Sequence, residues 1–151
     1  MENITETRIC EWVYGPTGCG KSHYAFQNYD PDTHYDYDGS WDYYNGEEVV
    51  IIDNCDVGGV SYREVQRLIE PWPFEVTRRR RPNMIPFTSR RVIFISIQPP
   101  KDVLHDLIKE RSQPYEGEVE RLLRMVNIRE MEMPLVFNVT KSNEILVEIN
   151  Q

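Results

Sequence analysis

Gly15-Pro16-Thr17-Gly18-Cys19-Gly20-Lys21-Ser22 satisfies the pattern G-x-x-x-x-G-K-[ST] and governs how the rest of the chain is read. Glycines at this spacing let main-chain N–H groups turn inward and approach an anion without a Cβ in the way. The apolar run Arg8–Tyr14 before it reads as a buried strand. Lys21–Gln27 after it reads as a helix, whose N-terminal end offers partial positive charge to the same anion. In such a loop Gly15, Pro16, Thr17, Gly18, Cys19 and Gly20 surround the phosphates, Lys21 reaches the β- and γ-phosphates, and Ser22 sets its hydroxyl on Mg2+. The expected ligand is therefore a nucleoside triphosphate, ATP with magnesium.

A second apolar run supports this reading. Val49–Asp53 (VVIID) is continuous and closes on a carboxylate, the pattern of a central parallel strand. Asp53 is the candidate to hold the hydrated magnesium opposite Ser22. The residue after it is Asn54, where a second carboxylate would ordinarily act on the attacking water. An amide orients water but does not take its proton at neutral pH. Asp56 would substitute only if the following loop folds back. Nucleotide binding is thus better supported than fast hydrolysis.

Asp30–Glu48, rich in Asp, Tyr, Gly and Asn, reads as an exposed and largely irregular connection. Ser61-Tyr62-Arg63-Glu64 has capping-box spacing, and Val65, Leu68 and Ile69 supply the apolar face of a helix that ends before Pro71. Phe74–Thr77 and Met84–Phe87 are short β-prone runs around a basic tip, Arg78, Arg79, Arg80 and Arg81. Arg91–Ser96 (RVIFIS) reads as another buried strand, Asp102–Glu110 and Glu116–Val126 as helices, and Val136–Thr140 with Ile145–Ile149 as a terminal hairpin. Strands alternating with helices predict an α/β fold: a mainly parallel sheet flanked by helices, with a β-hairpin insertion.

With 151 residues the chain is expected to form one domain, residues 1–151. A net charge of −8 argues against a protein that simply coats nucleic acid, so any such contact needs the local arginine run. Cys10, Cys19 and Cys55 are scattered, which fits neither a disulfide framework nor a zinc site and suits a reducing interior. No apolar run approaches membrane-spanning length.

Trp12–Ser22 and Asn45–Asp53 resemble the helicase domain of the replication-associated (Rep) proteins of circoviruses and related circular single-stranded DNA viruses. The likeness continues through Arg67–Pro73, Ile85-Pro86-Phe87 and Ile93–Pro100, and more weakly Glu120–Val126. It implies a superfamily 3 helicase, an AAA+-like P-loop NTPase that forms homo-oligomeric rings, hydrolyses ATP and moves on single-stranded DNA, RNA being the other option. It also implies rolling-circle-type replication in the host nucleus, a basic hairpin at Arg78–Arg81 that contacts the strand, and an arginine finger at Arg124, with Arg121 next. Where the family carries a γ-phosphate-sensing Asn, this chain has Ile97, and the amide follows at Gln98. His23, His34 and His105 are scattered, so the nicking endonuclease that precedes the helicase in these proteins is expected to be absent.

Asn54 and Ile97 keep a second class open, a catalytically weakened nucleotide-binding scaffold. A small-molecule kinase, with Arg78–Arg81 as its lid, is a third.

Overall fold

The computed structural model describes residues 8–16, 34–55, 59–79, 83–109 and 117–132. Five strands form one parallel sheet: β1 (Ile9–Tyr14), β2 (His34–Asp36), β3 (Val49–Ile52), β6 (Arg91–Ser96) and β7 (Asn127–Glu130), in the order β2-β3-β6-β1-β7. β4 (Glu75–Arg78) and β5 (Asn83–Pro86) pair antiparallel as a separate hairpin. Among the described residues three helices accompany them: α1 (Tyr62–Ile69), α2 (Pro100–Ile108) and α3 (Glu118–Leu123).

The continuous apolar strands exist because both faces of the sheet are buried. Alternation sends Cys10, Trp12, Val50, Ile52, Val92 and Phe94 to one face, where Val65, Leu68, Val103, Leu104, Val119 and Leu122 of the helices meet them. The intervening Val13, Val49, Ile51, Ile93 and Ile95 form a second cluster on the other face, against which Met131 packs. In-register pairs such as Trp12 with Phe94 and Val50 with Val92 keep the two sets apart.

α1 begins where capping-box spacing predicts. The Ser61 hydroxyl accepts from the Glu64 N–H at 3.1 Å. The Glu64 carboxylate accepts instead from the Trp41 indole N–H, at 3.0 Å. At the other end the guanidinium of Arg8 donates to the carbonyls of Arg67 (3.1 Å), Leu68 (3.1 Å), Trp72 (3.0 Å) and Glu70. It also lies 5.2 and 5.4 Å from the ring centres of Phe74 and Phe87.

Four parts depart from expectation. Residues 37–48 are irregular as expected, but the described part from 34 onward is not simply exposed: β2 lies in the sheet, and Tyr35, Trp41 and Tyr44 are buried. Their rings pack on one another and on Phe87, with Tyr44 and Phe87 stacked at 5.3 Å. The helix expected at 116–126 is present but shorter in its described part. α3 stops at Leu123, and the edge strand β7 begins at Asn127. α2 starts at Pro100, because proline fits the first turn, where no intrahelical partner for its missing N–H is needed. The hairpin strands are shifted by one residue from 74–77 and 84–87. The helix expected at 21–27 and the hairpin expected from 136 to 149 lie outside the described residues. Among the described residues no helix is long and apolar enough to cross a membrane.

Candidate functional site

Because the sheet is parallel, all its strands end on one side, and three of the expected site segments end there together. The Gly15 N–H donates to the Ser96 carbonyl at 3.2 Å, joining the start of the phosphate loop to the end of β6. The Cys55 N–H donates to the Ile95 carbonyl at 3.1 Å, which fixes the turn after β3 beside the same strand end. Gly15, Pro16, Asp53, Asn54 and Gln98 are therefore neighbours around the tip of β6. Thr17, Gly18, Cys19, Gly20, Lys21 and Ser22 lie outside the described residues.

Asp53 is half-buried just beyond β3, and a cavity of about 190 Å³ opens beside it, lined also by Tyr37, Asp38, Asn54, Cys55 and Val60. Asn54 has φ 54°, the left-handed region that asparagine and aspartate tolerate better than other side-chain-bearing residues. Sequence reading missed a further carboxylate. Asp36 closes β2, whose register sets it opposite Ile51, two residues before Asp53. Burial raises the Asp36 carboxyl above its usual range; His34 lowers it, and the charges of Asp53 and Asp38 raise it further. Carboxylates are the hard oxygen donors a hydrated magnesium takes, although among the described residues no group of three or more His, Cys, Asp or Glu could hold a metal by itself. The missed signal was the Asp at the end of His34-Tyr35-Asp36, concealed because that stretch lacks an apolar run.

At the end of β6 the Ser96 hydroxyl accepts from the Trp12 indole N–H at 2.8 Å and donates to the Gln98 carbonyl at 2.6 Å. Ile97 is 46% exposed. The aliphatic side chain at the expected sensor position thus stands partly in solvent, with the Gln98 amide one residue on.

The arginine run divides. Arg78 donates to the Tyr44 carbonyl (2.7 Å) and to Asn45 Oδ1 (3.2 Å), so its side chain braces the hairpin against the aromatic loop. Arg79 is exposed, and its backbone N–H is held by Asp42 Oδ1 at 2.6 Å. Arg80 and Arg81 lie outside the described residues. Phe74 and Phe87 stack at 4.9 Å as structural partners, while Trp72 is 66% exposed at the hairpin base.

Of the two finger candidates, Arg121 is bound to Glu70 at 2.7 Å, whereas Arg124 is exposed at the end of α3. β7 enters the sheet parallel to β1, Asn127 opposite Glu11. Arg124, three residues earlier, therefore sits toward the end of the sheet away from Gly15 and Asp53.

Cys10 and Cys55 are buried and take part in no disulfide. Burial pushes the Cys10 thiol up to about 12, and it donates to the Leu68 carbonyl at 3.3 Å. It is a core residue with no part in the site's chemistry.

A family profile described as RNA helicase matches residues 11–98, more than half of the chain. The replication-associated protein of beak and feather disease virus is 41% identical over 91 residues, a stretch covering 59% of this chain and 30% of that protein. Its counterparts in porcine circovirus 2 and porcine circovirus 1 are 36% identical over 91 residues and 33% over 93, covering 58% and 60% of this chain and 28% and 29% of theirs. The matched stretch thus spans less than a third of each of these relatives. The profile takes in most of β1, the Asp53 turn, the hairpin and the Ser96–Gln98 turn, and on that ground the chain belongs to the RNA helicase family, as a superfamily 3 helicase domain related to the Rep proteins of circoviruses.

Proposed function

We propose that the domain binds ATP between subunits of a ring and couples its hydrolysis to movement along a single nucleic-acid strand. The observation carrying this reading is the convergence of Gly15, Asp53 and Gln98 on the tip of β6 through the Gly15–Ser96 and Cys55–Ile95 hydrogen bonds. Such a cluster brings the start of the phosphate loop, a carboxylate suited to magnesium and an amide to one end of the sheet.

In this mechanism Lys21 holds the β- and γ-phosphates, and Ser22 with Asp53 holds magnesium. Bound magnesium neutralises charge on the phosphate oxygens. Asn54 or Gln98 orients water, and Asp36 is the further carboxylate at the same end of the sheet. Arg124 acts on a nucleotide held by the neighbouring subunit, since it sits toward the far end of its own sheet. Arg79, Arg80 and Arg81 supply phosphate contacts at the hairpin tip, while Arg78 keeps the hairpin at a fixed angle. Single-stranded DNA is the proposed partner, with RNA the other option, and the host nucleus the proposed location. ATP turnover by the purified chain, measured with and without single-stranded DNA alongside the mass of the assembly, tests this reading. Stimulation by the strand is expected; an assembled protein with no stimulation by DNA or RNA refutes it.

A weakened nucleotide-binding scaffold is favoured by one specific observation, the amide at position 54 in place of a carboxylate. Asn54→Asp tolerates the left-handed φ and restores a proton acceptor. A rise in turnover of about tenfold or more is expected if only the base is missing. No rise with intact ATP affinity favours the scaffold.

A further inference from the structure

We propose that Ser96 is a positioning residue of the γ-phosphate site: its hydroxyl, anchored by Trp12, closes the turn that presents the Gln98 amide to the terminal phosphate. The inference rests on the nucleotide reading above and concerns how a chain with isoleucine at the sensor position keeps a sensor at all.

The chemistry of the hydroxyl fixes the directions. An indole N–H only donates, so Trp12 occupies a lone pair of Ser96 Oγ at 2.8 Å. The single hydroxyl proton is then directed to the Gln98 carbonyl at 2.6 Å. Both ends of the anchor are buried. Trp12 is fully buried and stacked on Phe94, ring centres 4.7 Å apart at 21°, and Ser96 is 1% exposed. The same serine accepts the Gly15 N–H on its main-chain carbonyl at 3.2 Å. One residue therefore ties the first glycine of the phosphate loop, the core of β1 and the residue-98 turn into a single junction.

Position 98 is also constrained from its other side. Pro99, with φ −59°, follows it, and a residue before proline is confined to extended conformations. Pro100 then opens α2. Gln98 is thus held between a side-chain-closed turn and a proline step. Ile97 is turned partly to solvent, and its side chain has no donor for a phosphate. Moving the amide one residue along would normally leave it on a loose connection; the Ser96–Gln98 bond fixes the main chain of that connection. Without the hydroxyl the turn keeps its sequence and loses its anchor, and the buried Trp12 N–H loses its acceptor.

The test is the preference for ATP over ADP, which reads contact with the terminal phosphate whether or not turnover is fast. Titrations of both nucleotides in magnesium buffer are run on the full chain and on Gln98→Ala, Ser96→Ala and Ser96→Thr, with thermal unfolding followed in parallel. Gln98→Ala is expected to cut the ATP-over-ADP preference about tenfold or more, with ADP affinity little changed. Ser96→Ala is expected to reproduce that loss. Ser96→Thr, which keeps the hydroxyl, is expected to regain most of it. If Ser96→Ala does not fold, Ser96→Cys, of similar size and with a weak donor, carries the same expectation. A preference lost in Gln98→Ala but intact in Ser96→Ala overturns the positioning role and leaves the nucleotide reading standing. A preference unchanged in Gln98→Ala overturns both the sensor role and the positioning built on it. Loss of ADP and ATP affinity together in Ser96→Ala, without rescue by threonine, shows a purely structural serine and overturns the proposal as well.

Discussion

Replacing Arg8 tests how the helicase hairpin is held to the sheet. The guanidinium donates to four carbonyls, those of Arg67, Leu68, Glu70 and Trp72, and lies over Phe74 and Phe87. Two of these bonds, to Leu68 and Glu70, are partly buried, and the other two are exposed. Water replaces the exposed pair at little cost. The two partly buried bonds contribute about 1 kcal/mol each, and the contact over the rings about 1 kcal/mol more. Arg8→Ala should therefore destabilise the domain by about 3 kcal/mol, out of a typical total of about 5–15 kcal/mol. Arg8→Lys keeps a charge near the carbonyl end of α1 but cannot span that fork of acceptors, and should cost about half as much. Urea unfolding followed by circular dichroism reads this directly. With a slope of about 2 kcal/mol per molar, the alanine midpoint should fall by about 1.5 M. A fall under about 0.3 M, or a lysine variant indistinguishable from the parent, would refute the reasoning.

Tyr44→Phe removes an oxygen that meets Ser89 Oγ at 2.7 Å and accepts from the N–H groups of Thr88 and Ser89 at 3.0 and 3.1 Å. Its loss should cost about 2–3 kcal/mol, visible as a lower melting temperature without change in nucleotide affinity. Gly46→Ala should also destabilise, by about 1–2 kcal/mol, because φ is +79° and a Cβ would meet Thr88 Oγ1 at 3.0 Å; thermal unfolding reads it. The raised Asp36 carboxyl gives a pH signature. A folded value above the unfolded one contributes stability below the unfolded pKa, and that contribution is lost as pH rises through the folded value. Asp36→Asn should therefore look more stable than the parent at neutral pH, with the gap closing below about pH 4, in urea midpoints taken across that range.

Part of the fold around the candidate site was legible because it is written in residue types whose chemistry is narrow. The carboxylate ending VVIID lies just beyond β3 and Ser61 caps α1, as their patterns imply, while the glycine–lysine–serine spacing lies, beyond Pro16, outside the described residues. The edges of the sheet were not legible. β2 is three residues long and polar at both ends, with only Tyr35 facing the core, so no alternation announces it. β7 is exposed along its whole length, and its partner β1 supplies the pairing that holds it. The buried aromatic knot escaped because Asp, Gly and Asn dilute Tyr35, Trp41 and Tyr44 below any period; only the folded loop brings them onto Phe87. Arg78 shows the same limit in a charged residue. Four adjacent arginines look alike in sequence, and tertiary contact alone sets one of them to bracing Tyr44 and Asn45.

The most direct measurement is ATP affinity of the purified chain against its Lys21→Ala variant, by titration calorimetry in magnesium buffer, with circular dichroism confirming equal folding. A phosphate-gripping loop between β1 and the residues after it predicts at least an approximately tenfold loss of affinity in the variant. Equal affinity in the two folded proteins would contradict the nucleotide site and the motor built on it.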